Sequence, residues 1–356
     1  MTWKQDWQLR LSTIFWFIGI ILFLCSLPII FGVSVWGLAV IGIIAILITA
    51  IIGTLAWLIR KHKPKFFAWW LCTVITLSIL LAFPIYYLAF ITQLNPALIP
   101  QITLTNGKQT IIFQGMQHIA TESFYKSVVY DLENAFSQDY IFMYEGVKPS
   151  SPEIDQWFNK LITGGQPLAD SYELMGSICG LKFQNQYFKL LQKDMLAHPN
   201  KFVVADVDTR ELKQEYERLM KSDPDFAKAM NDREQPEQSQ SEVVESLIEK
   251  LRNGSESQKQ MAGVLCRGIM TLVVGKNHSA KSDQQMDKLI LNFRNKKIYE
   301  SIINERRNKI YITYGFDHFQ GTYKLLKQHD PSWKILTVKW MRTIDQPEAY
   351  EKHLEF

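Results

Sequence analysis

Charged residues are nearly missing from the first hundred positions of this 356-residue chain. Only six of the 39 basic and one of the 35 acidic side chains lie there, and none lies between Leu11 and Ile59. The later residues carry 33 basic and 34 acidic side chains, so the overall basic balance gives no support to a nucleic-acid-binding surface. This distribution excludes a purely soluble protein and a disordered one.

Several catalytic motifs are also missing. The chain has no Gly-x-Ser-x-Gly elbow, Walker A loop, Cys-x-x-Cys or His-Glu-x-x-His, which argues against a serine α/β-hydrolase, an NTPase, a zinc ribbon and a standard zincin. Cysteine is scarce, with four residues in all. Cys25 and Cys72 lie in apolar runs, whereas Cys179 and Cys266 lie later. The sequence leaves open whether the later two are bridged.

The apolar runs predict three transmembrane helices, because a hydrocarbon core about 30 Å thick needs about 20 apolar residues per crossing. We place them at about Ser12–Phe31, Trp36–Ile59 and Trp69–Ile91. A cleaved signal peptide is the alternative, but the first run exceeds an apolar signal-peptide core and no small-residue cleavage site follows it. We therefore expect a membrane domain over residues 1–100, with the lipid bilayer as its partner.

The orientation prediction depends on the short basic loop Arg60–Lys65, because such loops stay on the cytoplasmic side. Lys4 and Arg10 agree with this orientation. The sequence therefore predicts a multi-pass protein of the cytoplasmic (inner) membrane, with the domain of residues 101–356 extracytoplasmic.

The outer domain alternates short apolar runs with longer helical patterns, which is typical of an α/β fold with a central sheet. A four-residue spacing predicts a helix from Phe124 to Phe136. A further helix is predicted from Pro152, capped by Ser151, to Ile162. The predicted strands are Ile111–Gln114, Tyr140–Tyr144, Phe202–Val207, Ile310–Tyr314 and Ile335–Trp340.

Two predicted strands each run directly into Gly-x-x-His. The first motif ends at His118 and the second at His318. Each is followed by a helical pattern and another apolar strand, which predicts two strand-GxxH-helix units. Ligands of open α/β sheets gather at the carboxyl ends of strands, so both histidines are candidate site residues. We expect each motif glycine to supply unusual backbone angles and leave room for a ligand or metal.

Four further residues are site candidates. Glu145 follows a predicted strand, and with the two histidines it forms a sensible ligand set for a divalent transition metal. Arg294 lies on the apolar face of a predicted helix over residues 283–304, where it binds a substrate group or forms a structural ion pair. Asp206 and Asp208 are further ligands, acid/base groups or helix caps.

Together these motifs resemble the TraB/PrgY/GumN family, which includes the Tiki proteins and is related in fold to the erythromycin-esterase and ChaN-like proteins. The resemblance rests on Gly115-x-x-His118, Tyr144-Glu145-Gly146, Arg294-Asn295 and Gly315-x-x-His318-x-x-Gly321, and it covers about residues 105–340. It implies a membrane-associated, metal-dependent peptidase or related hydrolase. The residues it implies as essential are His118, His318 and Glu145, with Arg294 as the matching arginine.

The first functional hypothesis is therefore an extracytoplasmic, membrane-anchored hydrolase of a peptide or protein. His118 and His318 would hold Mn²⁺, Co²⁺ or Zn²⁺, and Glu145 would be a ligand or the general base. Arg294 would hold an oxyanion or a substrate terminus. The second hypothesis is a non-catalytic protein that binds a peptide at the membrane, as in the pheromone-shutdown branch of that family. The third is a membrane component whose outer domain is only a scaffold.

Overall fold

The computed structural model describes residues 3–60, 65–165, 167–233, 253–277 and 284–345. Contacts divide the chain into two compact units. One comprises residues 1–91 and 249–268, and the other comprises residues 92–248 and 269–356. Residues 61–64, which are central to the orientation prediction, lie outside the described residues.

Three long apolar helices open the chain: α1 (Trp3–Val33), α2 (Gly37–Arg60) and α3 (Phe66–Leu94). Within them, candidate spans of 27, 23 and 29 residues are each long enough and apolar enough to cross a bilayer. The prediction of three candidate spans is confirmed. The helices extend past the predicted bounds because a helix continues as long as its backbone is paired, whether or not its side chains are apolar.

Polar contacts inside this unit join the helices where apolar packing alone gives little specificity. The Trp70 indole donates to the Gly42 carbonyl at 3.1 Å, and the Tyr86 hydroxyl donates to the Cys25 carbonyl at 2.6 Å. Ile30, Ile41, Ala45 and Val74 form a buried cluster in the same unit. Hydrogen bonds and close packing are what associate helices in lipid.

The second unit contains a six-stranded mixed sheet with strand order β6-β4-β7-β2-β1-β8. Strands β2, β7, β4 and β6 run parallel, whereas β1 is antiparallel to both β2 and β8. A separate two-stranded sheet joins β3 to β5. The strands are β1 (Ala97–Thr105), β2 (Thr110–Met116), β3 (Ile119–Ala120), β4 (Ile141–Tyr144), β5 (Lys182–Phe183), β6 (Phe202–Val204), β7 (Lys309–Gly315) and β8 (Lys334–Ile344).

Helices cover both faces of the six-stranded sheet, because its strands alternate side chains between two cores. In β7, Ile310, Ile312 and Tyr314 face one core, whereas Tyr311 faces the other. The helices after the membrane region are α4 (Glu122–Ser137), α5 (Pro152–Thr163), α6 (Leu168–Cys179), α7 (Asn185–Phe188), α8 (Gln192–Ala197), α9 (Thr209–Ser222), α10 (Pro224–Arg233), α11 (Glu256–Asn277), α12 (Gln284–Asp287), α13 (Arg294–Asn304) and α14 (His318–His329).

The α/β class is confirmed, but several predicted details differ. Strands β1, β3 and β5 were not predicted, and β6 ends at Val204 instead of the predicted Val207. Strand β1 was missed because it follows the third apolar run directly and carries Pro100. The helix predicted from the four-residue spacing is present as α4, and the helix predicted from Pro152 is present as α5.

The two Gly-x-x-His segments are not equivalent units. After His118 the chain forms β3 before α4 begins, whereas α14 begins at His318 itself. Strand β4 then joins β7 inside the sheet, but β8 pairs with β1 at the far edge. The strands that follow the two Gly-x-x-His segments therefore occupy different positions in the sheet.

The unusual backbone angles expected of both motif glycines are not observed, because neither Gly115 nor Gly315 is among the described glycines with positive φ. A Cβ atom at Gly115 would lie 2.5 Å from Cγ2 of Ile99 and 2.9 Å from the Pro100 carbonyl oxygen. Close packing against the neighbouring strand β1 therefore requires this glycine.

Candidate functional site

Four predicted site residues follow the carboxyl ends of the four parallel strands. His118 follows β2, Glu145 follows β4, Asp206 follows β6 and His318 follows β7. Adjacent strand ends are in register, with Met116 opposite Gly315. The sheet therefore directs these side chains to one edge, which is the usual ligand edge of a parallel sheet.

Arg294 joins two of the strand ends through an ion pair with two carboxyl groups. Its Nε and Nη2 donate to Asp206 at 2.9 and 2.6 Å, and Nη2 also donates to Oε1 of Glu145 at 2.7 Å. Burial opposes the charge of Arg294, but these partners outweigh burial and raise the pKa of the guanidinium well above its usual value. Of the two roles considered for Arg294, the geometry matches an ion pair.

The helix that carries Arg294 is interrupted just before it. Residues Lys288–Phe293 are π-helical, and regular α-helix resumes at Arg294. The apolar residues predicted for this helix are divided between two cores: Met286, Leu289, Ile290 and Phe293 pack in one cluster, and Ile298 packs in the other. Tyr314 from β7 supports the guanidinium: Nη2 of Arg294 donates to its hydroxyl at 3.2 Å.

Glu145 is held at both of its carboxylate oxygens. Oε1 accepts from Arg294, and Oε2 accepts from the backbone N–H of Gly315 at 2.8 Å. Burial by itself would raise the pKa of Glu145, but the Arg294 charge and its hydrogen bond, together with the two histidines, lower that pKa to about 2. Glu145 is therefore an oriented, ionised carboxylate at neutral pH.

His318 is buried and oriented by an amide. Its Nδ1 lies 2.7 Å from Oδ1 of Asn295, so the Nδ1–H donates to that oxygen in the neutral ring. Burial, followed by the charge of Arg294, lowers the pKa of His318 to about 4. The edge of its ring contacts the Tyr314 ring, with centroids 4.7 Å apart. His318 is therefore a neutral imidazole whose Nε2 has a lone pair that can bind a ligand.

Different elements hold His118, and the hydrogen bond at its Nδ1 has the opposite direction. Nε2 of Gln184 donates to Nδ1 of His118 at 3.0 Å, which leaves the ring proton on Nε2, and the Gln184 backbone N–H donates to the His118 carbonyl at 3.1 Å. The ring stacks on Tyr172 with centroids 4.1 Å apart. Burial is the main cause that lowers the pKa of His118, so this imidazole is also neutral at neutral pH.

A cavity of about 490 Å³, here called the site cavity, opens beside these groups. His118, Glu145 and Arg294 line it, together with Tyr172 and Gln184. Its volume lies in the range of small-molecule sites. His318 is not part of its lining, but the histidine is close enough to Glu145 to lower the pKa of that carboxyl.

Asp206 and Asp208 have different roles despite their proximity in the chain. Asp206 accepts from Arg294 and from the Gly146 backbone N–H at 3.0 Å. Asp208 caps α9: its side chain accepts from the Glu211 N–H at 2.7 Å, and the Glu211 side chain accepts from the Asp208 N–H. The structure brings Asp206 into the site and places Asp208 in a capping box.

Sequence reasoning missed four residues that support the site: Asn295, Gln184, Tyr172 and Tyr314. Asn295 had a signal, because it follows Arg294 directly in the family-like motif. Gln184 and Tyr172 had none, because they lie in segments without a repeated pattern and reach His118 only through the tertiary fold.

Two neutral imidazoles and two carboxylates are groups that can bind a divalent cation. Nδ1 of His318 donates to an amide oxygen, which is the support that metal-ligating histidines usually have, whereas Nδ1 of His118 accepts from an amide nitrogen. Two carboxyl groups face one guanidinium, which favours an additional positive charge. Within the described ranges, however, no group of three or more His, Cys, Asp and Glu side chains could hold a metal ion. A joint set of three ligands is therefore not preassembled.

Comparison of the chain with protein-family models, with curated proteins and with solved structures gives no match.

Proposed function

We propose that this protein is a membrane-anchored, metal-dependent hydrolase whose outer domain cleaves peptide bonds. The observation that carries the proposal is the pairing of an ionised, oriented carboxylate with a neutral imidazole on the wall of one cavity. Glu145 and His118 supply these groups, and the second neutral imidazole, His318, lies close by.

Each residue has a role in this proposal. His118 and His318 would hold Mn²⁺, Co²⁺ or Zn²⁺, with Glu145 as a third ligand or as the general base. The metal would supply a water of lowered pKa and polarise the scissile carbonyl. Glu145 accepts a proton from water at the oxygen lone pairs that Arg294 and Gly315 leave unused. Arg294 positions Glu145 and keeps it ionised.

We further propose that the outer domain is extracytoplasmic and that the membrane is the cytoplasmic (inner) one. The basic sequence Arg60–Lys65 supports this orientation. Cys179 and Cys266 are both disulfide-bonded, whereas Cys25 and Cys72 are free. Disulfides persist in oxidising compartments outside the cytoplasm, which agrees with the proposed orientation.

A second candidate function is peptide binding without cleavage. Two observations favour it: both oxygens of Glu145 are already hydrogen-bonded, and the described residues contain no ready-made group of three metal ligands. Such a protein would use the site cavity to bind a peptide at the membrane.

Mass spectrometry of a peptide pool incubated with the full chain in lipid nanodiscs separates the two functions. We expect wild type to cleave in the presence of Mn²⁺, Co²⁺ or Zn²⁺, and Glu145→Gln to reduce turnover by about 10²- to 10⁴-fold, the usual share of general acid–base catalysis. His118→Ala should also reduce metal content, measured by elemental analysis. His329→Ala changes an exposed histidine and is the matched control.

Two results would decide against the hydrolase. If wild type binds peptides but forms no product with any of the metals, the binding function replaces it. If cleavage persists undiminished in both His118→Ala and Glu145→Gln, the active site lies elsewhere.

A further inference from the structure

A second, smaller cavity adjoins the site cavity. Its volume is about 210 Å³, and we call it the side pocket. Glu145, Gln184 and Asn185 line both cavities and form the wall between them. A ligand placed against Glu145 in the site cavity therefore lies beside the side pocket.

The side pocket is lined mainly by apolar side chains. Among the described residues that line it, Glu145 is the only charged one, and Tyr144, Thr313, Gln184 and Asn185 add the uncharged polar groups. The apolar lining consists of Met116, Leu132, Phe142, Phe188, Leu191, Met195 and Phe202. Such a lining favours an aliphatic, thioether or aromatic group and disfavours a charged one.

The size of the side pocket limits what it can take. At about 210 Å³ it has less than half the volume of the site cavity, which is about 490 Å³. Sites for whole drug-sized ligands occupy about 300–1,000 Å³. The side pocket therefore suits one side chain of the size of Leu, Met or Phe.

The segment that covers the side pocket is tied to His118. Phe188 ends α7 and Met195 lies in α8, and both line the pocket. Gln184 immediately precedes α7 and contacts both the ring and the carbonyl of His118. A side chain in the pocket thus contacts the same segment that orients one of the proposed metal-binding histidines.

We propose that the side pocket is a subsite for one apolar side chain of a peptide whose backbone lies in the site cavity beside Glu145. The peptide class rests on the proposed function, and the pocket adds the preference for Leu, Met or Phe next to the reacting position. The geometry carries it: the largely apolar pocket has Glu145 in its lining, and that carboxylate is oriented by Arg294 and by the Gly315 N–H.

Binding and cleavage measured on the same samples test this subsite. The probes are blocked tripeptides Ala-X-Ala in which X is Leu, Met, 4-fluorophenylalanine or Ser, added to the full chain in nanodiscs. The fluorinated peptide is followed by ¹⁹F NMR, the others compete with it, and empty nanodiscs correct for partition into lipid. Burial of a large apolar side chain predicts about 10- to 100-fold tighter binding for X = Leu than for X = Ser.

Three variants locate the preference. Met195→Trp fills the pocket from a half-buried position and should remove the difference between Leu and Ser. Phe188→Ala enlarges the pocket and should shift the preference from Leu towards the bulkier 4-fluorophenylalanine. Met175→Trp makes the same substitution at a methionine that is 45% exposed and lines neither cavity, so it should leave the preference unchanged.

The outcomes separate this inference from the proposed function. Equal binding of X = Leu and X = Ser, or a preference that survives Met195→Trp, overturns the subsite. Selective binding that is lost in Met195→Trp supports the subsite even if no peptide is cleaved, in which case only the hydrolase fails. Cleavage without selectivity for X leaves the hydrolase and overturns the subsite.

Discussion

At the residue scale, the orientation of His318 depends on the close packing of Asn295 against Gly321. Its Nδ1 hydrogen bond needs the amide of Asn295, and that amide packs directly against Gly321 of the neighbouring helix α14. A Cβ atom at Gly321 would lie 2.1 Å from Nδ2 and 3.0 Å from Cγ of Asn295. Gly321 is therefore required by the space that Asn295 occupies, one helical turn after His318.

Gly321→Ala is expected to displace Asn295 and release His318. Overpacking of this kind costs about 1–3 kcal/mol of the free energy of unfolding, and turnover should fall with metal content. The matched variant is Gly321→Ala combined with Asn295→Ala, which removes the clash. It should regain stability in denaturant titrations but not metal binding. Equal metal content in wild type and Gly321→Ala would contradict this role.

Acid should destabilise the metal-free protein through His318. The pKa of His318 is about 4 in the folded state and about 6.5 in the unfolded chain, so the unfolded state binds the extra proton between these values. The stability contribution is complete above about pH 6.5 and is lost as the pH falls towards 4, by about 3 kcal/mol in all.

Hydrogen exchange of β7 amides across that pH range, measured with a chelator present, checks this prediction. His318→Gln should flatten the pH dependence, whereas His329→Gln should leave it as in wild type. A wild-type profile that is flat between pH 6.5 and pH 4 would show that the buried imidazole does not control the acid response.

At the scale of elements, the turn between β6 and α9 carries two aspartates with separate functions. Asp208 caps the helix, and Asp206 neutralises a guanidinium on α13. Within three residues of this loop, Asp208 thus sets the start of α9 and Asp206 supplies a negative charge to the site.

Substitution of the two aspartates should give different costs. Asp208→Ala removes a cap and should lower the free energy of unfolding by about 1 kcal/mol with turnover nearly unchanged. Asp206→Ala removes a partner of a buried guanidinium and should cost about 3–5 kcal/mol. Parallel denaturant titrations and peptide assays compare them. Equal stability losses in the two variants would contradict the assignment.

At the scale of the whole molecule, the side of the membrane on which the outer domain lies is the main prediction. A reporter that is active only in the cytoplasm, fused after Phe356, should be silent, whereas a fusion at Lys63 should be active. Cys179 and Cys266 should resist a membrane-impermeant maleimide until a reductant is added. Reporter activity at Phe356 would show that the outer domain lies on the cytoplasmic side, opposite to the prediction.

The sequence alone determined the elements whose signals are local. Three uncharged runs predicted three helices, because the length of an apolar run is itself the signal for a candidate membrane span. The four-residue spacing predicted α4, and the Pro152 signal predicted α5, because helix periodicity and caps are short-range properties. The short apolar strands β2, β4 and β7 were found in the same way.

Only the tertiary structure decided how those elements meet. Strand β7 inserts between β2 and β4, which lie far from it in the chain, and this pairing brings Gly315 to the Glu145 carboxylate. The partners of Arg294 also come from two other strands. No local pattern encodes such contacts, because they depend on strand order. The sequence therefore supplied the candidate residues, and long-range packing determined which carboxylate meets which cation.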